Sequence, residues 1–286
     1  MKQSPVLLKA LALLLFFFQI CVPFSFAAKG PVIVPFDHSA WGKFLDEYVN
    51  EQGEINYAAA CGDRKILDAY LNKLAGLSLR QVTEKWLREE QLALWLNVYH
   101  AAIVAAVCER YPIKSMQEIP GVWEMGMVQV GKHRFGLDQI RKEKLVESFR
   151  DEKIHLALSC GARGCPRLRK EVFTGALVEG QLFQATREFV NDPARSIIDP
   201  KDRKVRLSRI FEWYARDFRM DFGVPENDLN LKPDSYAVLS FMAHYLEDID
   251  KITFLQQGDY KLKYTNFDWS LNEWKPAAKS APPASS

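Results

Sequence analysis

Apolar residues recur at intervals of three and four over most of this chain, and that spacing predicts a mainly helical protein. Between His38 and Asn50, the residues Trp41, Phe44, Leu45, Tyr48 and Val49 fall on one helical face. Gly53 ends that run, and Glu54 to Tyr57 reads as a short extended piece. A second face is marked by Ile66, Leu67, Tyr70, Leu71 and Leu74. The longest candidate helix runs from about Arg80 to Arg110 and is closed by Pro112, because the residue before a proline is pushed out of helical geometry. Its second half, Leu92 to Cys108, is almost entirely apolar, which predicts a buried central helix.

Beyond Pro120 the period shortens. Val122 to Val130, the turn Gly131-Lys132 and His133 to Phe135 predict a hairpin, and Leu137 to Ile140 opens another helix. Ile154 to Ser159 predicts a short buried strand. Val178 to Val190 is helical, with Leu182, Phe183, Thr186, Phe189 and Val190 in one stripe. Ser196 to Ile198 and Val205 to Leu207 predict a second hairpin across Pro200-Lys201-Asp202. Ser208 is placed to cap a helix carrying Ile210, Phe211, Tyr214 and Phe218. Tyr236 to Leu246 predicts one more buried helix, and Lys261 to Ser270 a last strand. The expected architecture is α+β, a single domain over residues 37–272 with helices packed around a small, mainly antiparallel sheet. The Pro-, Ala- and Ser-rich stretch 275–286 predicts a disordered tail.

The first residues change the picture of where the chain works. Lys2 and Lys9, the apolar run Leu11 to Phe18 and the small residues around Ser25, Ala27 and Ala28 have the pattern of a secretory leader, residues 1–27, cut near Ala27. Its apolar core is shorter than the ~20 residues of a membrane span. The expectation is an exported protein, periplasmic or secreted, without a stable membrane span. Lipidation at Cys21 is the lesser alternative, since the large Ile20 precedes that cysteine. The whole chain carries 38 Lys+Arg and 36 Asp+Glu. Losing Lys2 and Lys9 leaves equal numbers of each sign, so no global charge points to nucleic acid or an anionic surface.

Candidate chemistry concentrates in His155-Leu-Ala-Leu-Ser-Cys160-Gly-Ala-Arg-Gly-Cys165-Pro166. A thiol near cationic donors at a strand end favours the thiolate, which makes Cys160 a candidate nucleophile with Arg163 to stabilise it. Cys160 and Cys165 can equally close a structural disulfide or form a redox pair. Zinc spacing is lacking, so no metal is expected, and no cofactor motif is present. Four cysteines outside the leader, Cys61, Cys108, Cys160 and Cys165, allow two disulfides in three connectivities. His155 is a candidate base, but in a regular strand it would point to the face opposite Cys160, which leaves His100 and His244 as alternative bases. Asn97 and His100 lie three apart on the central helix and so share a face. A buried Asn97 needs hydrogen-bond partners, either a loop backbone or a catalytic group. Trp123, Trp213, Trp269 and Trp274 read as core or rim aromatics.

The series Trp95-x-Asn97-x-Tyr99, His155-x-Ala157-Leu158-x-Cys160-Gly161-Ala162-x-x-Cys165-Pro166, Phe211-x-Trp213-Tyr214-x-x-Asp217-Phe218 and Asp268-Trp-Ser-Leu-Asn272 resembles the domain of unknown function 547 family. The resemblance runs from about Asp37 to Asn272. It departs at His100, where the family usually has a second asparagine. Related domains that are not exported would keep a disulfide with difficulty, so the resemblance favours a thiol role for Cys160 or Cys165. The side-chain types are those of a papain-like or transglutaminase-like site, in a different chain order. The expectation is a thiol-dependent hydrolase or acyl transferase, with Cys160, His155, Asn97 and His100 catalytic and Arg163, Tyr99 and Cys165 binding a small-molecule or peptide ligand. The alternatives are a non-catalytic envelope binding module with a structural cysteine loop, or a redox dithiol protein.

Overall fold

A computed structural model describes residues 35–223, 231–258 and 260–276. The expected leader lies outside the described residues, as does all but the start of the expected tail. The helix α1 (Ser39–Tyr48) opens the described chain and packs on α3 (Lys65–Ala75), with α2 (Tyr57–Gly62) between them in sequence. The predicted long helix is two elements. The first, α4 (Leu79–Lys85), is capped by the Ser78 side chain, and α5 (Arg88–Cys108) begins after Leu87, whose backbone is extended.

In α5, every residue from Leu92 to Val107 is buried. Among the described residues it alone is long and apolar enough to cross a membrane, but the protein's own side chains surround it, as they do the core helix of a globular fold. The predicted hairpins are present as β1 (Val128–Val130) with β2 (His133–Phe135), and β3 (Ser196–Asp199) with β4 (Lys204–Leu207). Between them come α6 (Leu137–Gln139), a π-helical stretch Ile140–Val146, α7 (Glu147–Phe149) and α8 (Val178–Asn191). The chain closes with α9 (Arg209–Trp213), α10 (Arg219–Phe222), α11 (Pro233–Tyr245), α12 (Ile249–Gln257) and β5 (Lys261–Tyr264). β5 pairs parallel to β4, so the three-stranded sheet is mixed, while β1 with β2 and β3 with β4 are antiparallel. The expected strand to Ser270 stops at Tyr264, and the residues beyond it run as an irregular strap.

The buried side chains form two clusters. One surrounds α5, and the other gathers β4, α9 and α11. The segment 154–158 is the seam, with Ile154, Ala157 and Leu158 in the first cluster and Leu156 in the second. Here the structure corrects the sequence expectation, for Glu152–Leu156 is a 3-10 helix and not a strand. Arg150 takes a left-handed backbone (φ 50°) that ends α7, and the Asp151 side chain then accepts from the Lys153 amide to start the new turn. Ile154 and Ala157 N–H groups close it on carbonyls three residues back.

Candidate functional site

A 3-10 turn rotates successive side chains by a third of a circle, so the alternation that separated His155 from Cys160 does not operate. Both line one cleft of about 250 Å³ at the seam between the clusters. Tyr99 of α5 and Leu158 form one side, Ile210 and Tyr214 of the α9 region the other, and Trp123, Trp213, Trp269 and Phe267 close around it. Trp213 is 44% exposed. Its ring centroid lies 4.8 Å from Phe267 and 5.8 Å from Trp269, which in turn lies 6.5 Å from Trp123. Tryptophans expected at the core or rim thus gather at the cleft, except Trp274, whose indole donates to the Tyr48 carbonyl elsewhere.

The two cysteines are joined to each other, and Cys61 is joined to Cys108. In this state neither Cys160 nor Cys165 is a free thiol, so the nucleophile expected at Cys160 is held in a bond. Cys160 is partly exposed and Cys165 is buried. The loop between them is fixed by its backbone. Gly161 has φ +79°, and a Cβ there would lie 2.8 Å from Met116 Sδ. At Gly164 a Cβ would lie 2.8 Å from the Phe267 ring, so only glycine lets the strap approach. Arg163 and Gly164 amides donate to the Ser270 and Asp268 carbonyls, and the Asn272 amide donates to the Gly161 carbonyl. The Arg195 guanidinium donates to the carbonyls of Arg163, Gly164 and Cys165 together, the fixed fork of an arginine used on main-chain oxygens.

His155 is the buried floor of the cleft. Its ring stacks on Tyr214 with centroids 4.0 Å apart and planes 8° apart, and Nε2 lies 2.8 Å from Asp217 Oδ2. Burial pushes the imidazole pKa down, opposed by Asp217, and the hydrogen bond to His155 holds the Asp217 carboxyl below its ordinary range. Both directions describe a neutral ring that donates Nε2–H to a carboxylate. Nδ1 is then a bare acceptor, and it is buried with no partner among the described residues. Above Tyr214 sits the Arg141 guanidinium, 5.0 Å from the ring centroid, and Arg141 also pairs with Asp138 at 3.1 Å. Arg141 comes from the π-helical stretch, a distortion that often aims a side chain at a site.

The other expected catalytic residues, Asn97 and His100, are hydrogen-bonded to backbone. The Asn97 side-chain amide both donates to the Phe173 carbonyl (2.8 Å) and accepts from its N–H (3.0 Å), fully buried. This is the loop-backbone role that a buried asparagine in a helix calls for. His100 Nε2 accepts from the Ser159 amide at 3.0 Å, and its ring is also bonded to the Ala157 backbone. Desolvation lowers its pKa to about 4, so it is a neutral brace under the cysteine loop. Arg163 points to Glu54 and the Glu273 carbonyl and does not line the cleft with the sulfurs. Tyr99 and Cys165, expected to bind ligand, do line it. Asp217, Tyr214, Arg141 and Arg195 had no assigned role from sequence. Tyr214 and Asp217 stand inside one of the quoted motifs, and nothing local signals Arg141 or Arg195.

A larger cavity of about 530 Å³ lies along Pro166, Arg167, Arg169, Glu188, Phe189 and Arg195. Its guanidiniums are already committed, Arg169 to Glu171 and Glu188, and Arg195 to the loop carbonyls. Among the described residues no group of His, Cys, Asp and Glu is arranged to hold a metal ion.

Residues 83–190 match the family described as protein of unknown function, DUF547. That stretch runs from α4 to α8, so it contains Asn97, His100, His155 and the cysteine loop. Tyr214, Asp217 and the strap from Phe267 to Asn272 lie beyond it. No curated protein and no solved structure matches the chain.

Proposed function

We propose that this chain is a binding module of the cell envelope whose recognition site is the aromatic cleft, and that it takes an apolar, uncharged group of a peptide ligand. The observation that carries this reading is the set of rings around the opening, Trp123, Trp213, Trp269 and Phe267, which remain partly or largely exposed even where Trp123 and Phe267 rest against the two cores. Large aromatic faces left open beside a concave surface mark sites of association. Arg141, whose guanidinium lines the cleft, is already paired with Asp138, which disfavours an anionic ligand. The volume of about 250 Å³ falls below the ~300–1,000 Å³ of pockets that enclose a whole drug-sized molecule, so it suits one anchoring side chain of a longer ligand. Two disulfides accord with an oxidising compartment and support the export reading. A thiol hydrolase would need Cys160 released from its bond, and it would have to work without Asn97 and His100, which are engaged with backbone.

The test is a tryptophan-fluorescence titration with the capped amino acids N-acetyl-phenylalaninamide and N-acetyl-glutamate amide. The phenylalanine probe should quench the wild type and lose most of its effect in Trp213→Ala, while the glutamate probe does nothing. Equal response to both probes, or a phenylalanine response unchanged in Trp213→Ala, overturns the reading.

A further inference from the structure

The Cys160–Cys165 bond is the weaker staple of the two. It closes a loop of sequence separation 5, against 47 for Cys61–Cys108, and a short loop removes little freedom from the unfolded chain. The loop is also already held at Ser159 by His100, at Gly161, Arg163 and Gly164 by the strap, and at three carbonyls by Arg195. None of these contacts needs the sulfurs to be joined. Yet the bond sits in the wall of the cleft ringed by Trp123, Trp213, Trp269 and Phe267, with Cys160 partly exposed and Cys165 buried. That asymmetry gives an incoming thiolate one sulfur to attack and makes the other the leaving group.

From these features we infer that the Cys160–Cys165 disulfide is an exchange site that oxidises dithiols of peptides docked in the cleft. A thiolate of the substrate attacks Cys160 Sγ and forms an intermolecular S–S bond, while Cys165 leaves as a thiolate and takes up a proton. The second substrate thiolate then attacks the substrate sulfur of that mixed disulfide and releases Cys160. The substrate dithiol is oxidised to its disulfide, and two electrons and two protons end on Cys160 and Cys165. This goes beyond the binding reading, because the exchange can be assayed with a small thiol that needs no docking.

The experiment treats the folded, oxidised protein with a few equivalents of dithiothreitol, followed by iodoacetamide and peptide mass mapping. Cys160 and Cys165 should be alkylated at least tenfold faster than Cys61 and Cys108, with the far-ultraviolet circular dichroism unchanged. A synthetic dithiol peptide with phenylalanine beside each cysteine should be oxidised one for one, and more slowly by Trp213→Ala. For a trapped intermediate, Cys165→Ser incubated with the same peptide in its disulfide form should accumulate a mixed disulfide at Cys160. If Cys160 and Cys165 are labelled only after denaturant is added, or no faster than the other pair, the inference is overturned. Slow peptide oxidation together with rapid reduction by dithiothreitol would retain the exchange site and instead defeat the cleft as the docking site.

Discussion

His155 Nε2 lies 2.8 Å from Asp217 Oδ2, across 62 residues of sequence. This contact ties the 3-10 turn of the seam to the segment after α9 and fixes which ring nitrogen carries the proton. Replacing Asp217 by Asn keeps an acceptor for Nε2–H and should cost under ~1 kcal/mol. Replacing it by Leu leaves the buried ring without either partner and should cost ~2 kcal/mol. Urea unfolding of the two variants, compared at pH 7, checks the difference.

Asn97 holds both polar groups of Phe173, so two buried hydrogen bonds depend on one amide. Asn97→Ala should destabilise the protein by ~2–4 kcal/mol, since it leaves a buried N–H and C=O unpaired. Asn97→Asp should be at least as damaging near neutral pH, because a carboxylate accepts from the Phe173 amide but meets its carbonyl with no donor. Thermal melts of both variants, with Asn97→Asp repeated at low pH, test this.

Three histidines are held in the neutral form, His100 and His155 buried and His38 half-buried. Desolvation lowers His100 to about 4 and His38 to about 4, and it lowers His155 as well. In each case the unfolded chain binds the proton more readily, near the ordinary value of 6.5. Stability from these sites is therefore complete above pH 6.5 and declines as pH falls towards 4. For the fully buried His100 alone the shift corresponds to ~3 kcal/mol over that window. Differential scanning calorimetry should show a falling melting temperature from pH 7 to pH 5, with a shallower decline in His100→Asn.

The two disulfides should differ in what they contribute. By chain entropy the bond with separation 47 is worth ~4 kcal/mol and that with separation 5 ~2 kcal/mol. Removing Cys61–Cys108 by paired Ala substitution should lower the urea midpoint clearly more than removing Cys160–Cys165 by paired Ser substitution.

Arg195→Lys should loosen the cysteine loop, since an ammonium cannot reproduce the fork that reaches three carbonyls. Hydrogen exchange should accelerate at the amides of residues 161–165 while α5 keeps its protection.

Much of the fold is legible in the chain because periodicity reports burial directly. The apolar run of α5 and both hairpins stand where Leu92 to Cys108, Gly131-Lys132 and Pro200-Lys201-Asp202 place them. Ile154 to Ser159 misleads because a short apolar run does not separate a strand from a buried helical turn. Its outcome was decided by the Asp151 cap and by the two clusters it joins. The cysteine loop and Tyr99 could be singled out from local sequence. The cleft itself could not, since it assembles α5, the π-helical stretch, the α9 region and the terminal strap, and Arg195 reaches the loop from another element altogether. A buried Asn97 demands a partner, but the sequence does not say that Phe173 supplies it.

The most direct test of the account is the 1H–15N spectrum of the tryptophan indoles during titration with N-acetyl-phenylalaninamide. The resonances of Trp123, Trp213 and Trp269 should move together with one dissociation constant, while those of the core residue Trp41 and of Trp274 stay fixed. No movement at millimolar probe, or movement confined to tryptophans away from the cleft, would contradict it.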